Sequence, residues 1–247
     1  MVTDSGTIIL IKGISGSGKS TRVYCFLDFL ESIGMKLKPY QFVNILGQTQ
    51  EIGLYSEELN MLFLGKFYND NGVRRWQGLD AVTGRLHTAE GLSYFLKWAG
   101  QQKLNVVLEG AGTSVTWRLR PMEICAEYEF LNILYLIYTF KLEQYDDYIR
   151  RIEYRSGRAP KSDAMWRKRK GFESDYTQTV AEAKDLNAAG ADIVIKYNLF
   201  DVEAWDLGVS IMQYFGLDEL CDEFRQFVEG GGYIEQNSYE NIGRWVK

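Results

Sequence analysis

Gly13-Ile-Ser-Gly-Ser-Gly18-Lys19-Ser20, followed by Thr21, is the stretch that decides the fold. It fills the pattern GxxxxGK[ST] in full, a pattern whose confirmation is a strand before it and a helix after it. Upstream, Thr7–Ile11 is a short β-branched run suited to a buried parallel strand. Downstream, Val23, Phe26, Leu27, Leu30 and Ile33 recur at helical spacing, and Gly34 is a natural stop. Glycines let backbone N–H groups turn inward toward phosphate oxygens, and a helix N-terminus adds its dipole and free donors. Gly13, Ser15, Gly16, Ser17, Gly18, Lys19, Ser20 and Thr21 are therefore the expected phosphate cradle. Lys19 would reach the terminal phosphates of ATP, and the Ser20 hydroxyl would hold Mg²⁺. The competing reading is a glycine-rich turn with no ligand.

The rest of the chain bounds what such a loop can serve. There are 247 residues, 46% hydrophobic and 25% charged, which suits one large domain able to bury its own core. Cys25, Cys125 and Cys221 are widely spaced, which argues against a disulfide framework or a structural zinc site and makes a reducing cytosol the default. A single histidine, His87, leaves no material for a two-His mechanism. No run approaches a membrane span, and the start of the chain lacks the basic flank of a signal peptide. The net charge of −5 is unevenly spread: residues 150–170 hold nine Lys/Arg against Glu153 and Asp163, a local +7. Such segregation suggests a basic surface facing a polyanion.

Further short strands are expected at Gln41–Leu46, Asn105–Leu108, Asn132–Ile137 and Asp192–Lys196. Helices are expected after Thr88, from about Ser174 to Ala189, and after Asp201. The alternation predicts an α/β fold: five strands, mostly parallel, with helices on both faces. Two regions fall outside it, an aromatic insert at 51–85 and the basic segment at 145–171. The core domain is expected over 1–216, with 217–247 a C-terminal helix and tail packed on it.

The third strand ends Val106-Val107-Leu108-Glu109-Gly110, an apolar strand delivering one carboxylate beside the glycine loop. That is a Walker B arrangement, in which Glu109 would help hold Mg²⁺ or orient the nucleophile. An ordinary acid at a strand end is the alternative.

With these elements the chain resembles P-loop kinases of the nucleoside, nucleotide and polynucleotide kinase type. The match rests on Gly13–Thr21, on Val106–Gly110, and on the arginine-rich Tyr148–Arg158, which resembles the lid that closes over ATP in these kinases. The terminal strand within Ala191–Asn198 is similar as well. The resemblance implies the three-layer P-loop NTPase fold. Arg151, Arg155 and Arg158 stand at i, i+4 and i+7, so on a helix they share one face and could stabilise charge on a transferring phosphoryl group. A solvated basic helix face is the other reading.

A phosphoryl acceptor should sit opposite the loop, near the C-terminal ends of the strands. Glu51, Tyr55, Arg74, Arg75 and Trp76 interleave aromatics, charges and arginines in a way that suits stacking on a base while pairing its phosphates. A packed helical insert is the alternative. Asp80, Glu51 and Glu109 are candidates for the carboxylate that orients or deprotonates an acceptor hydroxyl. Insert, basic lid and motif order together look similar to phage-encoded kinases of thymine hypermodification. The likeness implies ATP, Mg²⁺, a 5-hydroxymethyluracil acceptor in DNA and a bacterial cytoplasm during infection. Free nucleosides or nucleotides and polynucleotide 5′-hydroxyls remain alternative acceptors. A non-transferring NTPase module is the alternative of another class.

Overall fold

The computed structural model describes residues 5–13, 17–67, 86, 88–109, 131–156, 162–188, 190, 192–196 and 203–232. Seven strands form one sheet: β1 (Gly6–Lys12), β2 (Leu37–Val43), β3 (Thr49–Ser56), β4 (Met61–Leu64), β5 (Asn105–Glu109), β6 (Leu131–Tyr138) and β7 (Asp192–Lys196), in the order β2-β3-β4-β5-β1-β6-β7. The helices are α1 (Lys19–Ser32), α2 (Ala89–Gln101), α3 (Tyr145–Ser156), α4 (Ser162–Ala188), α5 (Asp206–Tyr214) and α6 (Cys221–Glu229). The class is α/β. Strands β4, β5, β1, β6 and β7 pair in parallel, while β2 and β3 extend the sheet in antiparallel.

Strand periodicity splits the core. Ile9 and Ile11 of β1, with Val107 and Leu136, face α1, α5 and α6. Ile8, Val106, Leu108 and Ile137 point the other way, onto Leu92, Phe95 and Leu96 of α2 and Ala183 of α4. The central strands β1, β5 and β6 thus bury both faces, as a parallel sheet between two helix layers must. Helix α6 belongs to this core: Phe224 is fully buried, its ring 4.8 Å from Phe29 and 5.8 Å from Phe26. At about 1.5–3 kcal/mol per fully buried large side chain, a contact of this kind holds the helix to the domain.

Several expectations shift. The sheet has seven strands among the described residues, not five, because the first part of the expected insert is sheet: Thr49–Ser56 and Met61–Leu64 are β3 and β4. The second strand runs Leu37–Val43 rather than Gln41–Leu46, because Asn44–Gln48 turns. The Asn44 side-chain oxygen accepts from Leu46 N at 2.9 Å and Gln48 N at 3.1 Å. The helix expected from Ser174 begins at Ser162 and takes in the basic run, and the helix expected after Asp201 starts at Asp206 with Trp205 at its N-cap. Thr88 does cap α2, accepting from Gly91 N at 3.1 Å. Residues 68–85, the remainder of the insert, lie outside the described residues.

Gly53 tests the reassigned strand. A Cβ there would fall on the backbone carbonyl of Phe63 in β4. Gly53→Ala should destabilise the fold by about 1–3 kcal/mol, read from the urea midpoint. An unchanged midpoint would contradict the close β3–β4 pairing.

Candidate functional site: a glycine loop between β1 and α1

The parallel register brings three strand ends level. Ile11 lies opposite both Glu109 of β5 and Leu136 of β6, and Lys12 opposite Ile137, so Gly13, Glu109 and Tyr138 meet at the C-terminal edge of the sheet. The chain turns back into α1 through Gly18, whose φ of 78° lies in the left-handed region that glycine takes without strain. A Cβ on Gly13 would strike the Tyr138 carbonyl and stand 2.5 Å from Ser17 Oγ. The loop is wrapped too tightly for a side chain there.

Lys19 points back into this turn. Its Nζ donates to the Gly13 carbonyl at 2.7 Å and lies 3.7 Å from Glu109 Oε1, with both side chains 8% exposed. Charges this buried need partners, and here each helps to compensate the other. The start of α1 has no side-chain cap and no acid in its first turn, so the positive end of a 14-residue helix is left unanswered. Ser17 Oγ is buried with no hydrogen-bond partner. Ser20 is half-buried at the same end, and Thr21 is exposed. An anion seated here would meet backbone N–H donors, an ammonium and an unsatisfied hydroxyl. These residues fit a phosphate chain. Among the described residues no three carboxylate, imidazole or thiolate groups gather. Ser20 and Glu109 are a donor set of the kind Mg²⁺ uses, with phosphates and water completing its shell.

A brace behind the loop was not foreseen from sequence. Arg22 is buried, and its Nη1 donates to the Ser17 carbonyl at 2.9 Å. Its guanidinium lies 4.8 Å over the Tyr138 ring, and the Tyr138 hydroxyl donates to Asp206 Oδ2 at 3.1 Å. Burial, reinforced by the Asp206 charge, pushes the Tyr138 hydroxyl well above its ordinary pKa, so it remains a donor. The series Ser17–Arg22–Tyr138–Asp206 ties the loop to the end of β6 and the start of α5. The only sequence signal for it is an arginine beside the uniformly apolar, buried face of α1.

The other expected site residues divide. Glu51 is exposed on β3, opposite Gln41 of β2 and at the same sheet end as the glycine loop. Tyr55 is corrected: it pairs with Leu62 near the start of β4, at the opposite end of the sheet. Its hydroxyl donates to Asn60 Oδ1 at 3.0 Å, and its ring packs on Tyr40, so its role is structural. Arg151 and Arg155 lie on α3, as the lid reading requires, but their side chains are outside the description. Ser15, Gly16, Arg74, Arg75, Trp76, Asp80 and Arg158 are outside the described residues.

The basic segment is anchored rather than loose. Tyr145 and Tyr148 of α3 pack on Phe172 of α4 at 5.5 and 5.0 Å, and Tyr145 donates to the Met165 carbonyl at 3.2 Å. The Arg169 guanidinium lies 5.2 Å over the Tyr145 ring. Lys168 is half-buried, and Arg169 and Lys170 are exposed.

Comparison with known proteins bears on this geometry. Residues 5–206 match the family model described as 5-hmdU DNA kinase 2. A curated relative, 5-hmdU DNA kinase 2 of Salmonella phage ViI, is 31% identical over 180 residues, covering 71% of this chain and 57% of that protein. The chain therefore spans little more than half the length of the relative it matches.

Tyr138→Phe tests the brace. It removes the donor to Asp206 while keeping the ring under Arg22. The expected loss is about 1–3 kcal/mol in chemical unfolding, the cost of withdrawing a hydrogen bond from a buried charged acceptor. A loss below a few tenths would show that Asp206 does not depend on Tyr138.

Proposed function

The chain belongs to the 5-hmdU DNA kinase 2 family, and on that footing we propose that it is an ATP-dependent P-loop phosphotransferase acting on the hydroxymethyl group of 5-hydroxymethyluracil in DNA. The observation that carries the reading is the Lys19 ammonium held between the Gly13 carbonyl and the Glu109 carboxylate at the mouth of an uncapped helix. The family supplies the acceptor class. The three-layer P-loop NTPase fold is part of the same proposal, supported by the strand, loop and helix in register.

In this reading the loop N–H groups and Lys19 bind the phosphate chain, and Arg22 keeps the Ser17 carbonyl turned away so that the N–H groups face the ligand. Ser20 and Glu109 hold magnesium, which when bound neutralises charge on the phosphates. Arg151, Arg155 and Arg158 close over the nucleotide from α3 and the segment that follows it. Arg74, Arg75 and Trp76 engage the acceptor base. Asp80, Glu51 or Glu109 accepts the proton of the hydroxymethyl group as its oxygen bonds to phosphorus and the bond to the departing ADP oxygen breaks. DNA lies along the basic 150–170 region, where phosphate contacts supply affinity and base contacts supply choice. The compartment would be the cytoplasm of an infected bacterium. No helix among the described residues is long and apolar enough to cross a membrane.

Transfer of labelled γ-phosphate is the direct test. Label should enter internal modified bases of DNA. Label only in free nucleosides, only at 5′ ends, or only in inorganic phosphate would assign the chain to one of the three alternatives instead. Lys19→Ala should cut transfer by on the order of 10²–10³-fold or more, as loss of a buried transition-state donor does, in a protein that still folds but with a lowered unfolding midpoint, because Glu109 loses its buried partner. Replacing Lys168, Arg169 and Lys170 by Gln should lower the slope of log affinity against log salt by up to about 0.9 per lost phosphate contact on duplex DNA. An unchanged slope would move the DNA path away from α4.

A further inference from the structure

Apart from Glu51 on β3, the β2–β3 hairpin has no part in the site above. Its position is set by register. The last β3 residue paired on β4 is Gly53, opposite Leu64, and Gly65 N–H still reaches the Ile52 carbonyl at 3.0 Å. Beyond that point Thr49–Glu51 continue, paired only with Gln41–Val43 of β2. Because β3 runs against β4, and β4 runs with β5, this overhang stands at the glycine-loop end of the sheet. It reaches about 10 Å past the β4 ladder, at about 3.3 Å per residue. Three strand spacings, about 14 Å, separate β2 from β5 and Glu109.

The tip is stiff and apolar. Asn44 holds it from inside: its Oδ1 takes the Leu46 and Gln48 amides, its own N–H reaches the Gln48 carbonyl at 2.9 Å, and its carbonyl takes Gly47 N–H at 2.9 Å. Phe42 fixes the base of the overhang, its ring 5.2 Å from Phe95 and 5.0 Å from Trp98 of α2. Yet Leu46 is 52% and Val43 50% exposed, and Tyr94, beside Phe42, is 43% exposed. These are three of the four large hydrophobic side chains left exposed among the described residues. The twelve residues Pro39–Gln50 carry no charge, in a chain whose net charge is −5.

We propose that this hairpin tip is a wedge for duplex DNA, with Leu46 entering the base stack where the acceptor nucleotide leaves it. The inference rests on the DNA-kinase reading and deepens it. A base modified inside a closed site must first leave the stack, and proteins that open a stack commonly insert a Leu, Ile, Met or Phe between base steps. The occupant follows from the tip's chemistry and position. Leu46 and Val43 offer apolar surface suited to base faces. The neighbouring Gln41 and Gln48 are exposed amides able to meet base edges. The turn itself carries no carboxylate; the nearest acid, the exposed Glu51, stands at the base of the overhang opposite Gln41. The tip stands about 14 Å across the sheet from β5 and about 10 Å beyond the β4 ladder, at the same sheet end as Glu109, so a nucleotide leaving the stack at Leu46 would turn toward β5 across that gap.

The test compares one sequence, containing 5-hydroxymethyluracil, as duplex and as single strand. Leu46 is exposed, so Leu46→Ala should leave folding intact. The ratio of duplex to single-strand kcat/KM should fall about tenfold, and Leu46→Phe should restore it, because unstacking a step costs a few kcal/mol that the wedge offsets. An unchanged ratio overturns the wedge, whether the two rates stay the same or fall together. A 2-aminopurine placed beside the modified base gives an independent readout. Its fluorescence should rise on binding wild type and not on binding L46A. If wild type labels neither DNA yet raises this signal through Leu46, the phosphotransfer reading fails and the wedge stands. If no signal rises, the wedge fails whatever the transfer assay shows.

Discussion

The site depends on three parallel strands ending level. With Ile11 set against Glu109 on one side and Leu136 on the other, the turn after β1 has a carboxylate and a tyrosine carbonyl as immediate walls. Slipping β5 by one residue would move Glu109 to the opposite face of the sheet, because side chains alternate with a period of two. Lys19 would then lose the group that accompanies it in a nearly dry environment. The register is fixed by the burial of both strand faces, so the hydrophobic core and the electrostatics of the loop are one constraint. Ile8 and Val106 pack on one layer, Ile9 and Val107 on the other, and a one-residue slip would exchange the layers for β5.

The glycine loop is held by its backbone carbonyls. Gly13 O is taken by Lys19 and Ser17 O by Arg22. The trans peptide that joins Ser17 to Gly18 then points its N–H opposite to the carbonyl held by Arg22. This arranges a donor before any ligand arrives, which is the condition under which it stabilises charge most. The buried guanidinium lies over the Tyr138 ring, and the Tyr138 hydroxyl, bonded to Asp206, couples the loop to α5.

Legibility from sequence followed the range of the interactions. β1, the glycine loop, α1 and the Thr88-capped α2 were readable because periodicity, caps and turn residues are local. Glu109 was readable because one acid ended a run of valine and leucine. β3 and β4 were not. Tyr55, Gly53 and the paired acids Glu57 and Glu58 look like the contents of a polar aromatic insert. What makes them sheet is Gly53 lying flush on Phe63 and Asn60 bonding across to Lys103 O. The helix expected from about Ser174 likewise starts earlier and runs through Gly171, since packing of Phe172 on Tyr145 and Tyr148 outweighs the roughly 1 kcal/mol that a mid-helix glycine loses. Arg22 was hidden because a buried arginine is defined by partners 5 and 116 positions away, Ser17 and Tyr138.

On the proposed function, charge is distributed so that two kinds of DNA contact would not compete. The cationic run spans α3 and the start of α4, which Arg169 over the Tyr145 ring ties together. The β2–β3 tip, on the far side of the sheet order from β6 and β7, carries none. A cationic surface alone would hold duplex DNA in many registers, since phosphates recur along it without regard to sequence. A charge-free apolar tip gains little from phosphates and much from an exposed base face. Separating the two by the width of the sheet places the glycine loop and Glu109 between them. A duplex held at one end by its backbone and opened at the other by its stack would therefore present its extruded base to the middle of the sheet, where the loop lies.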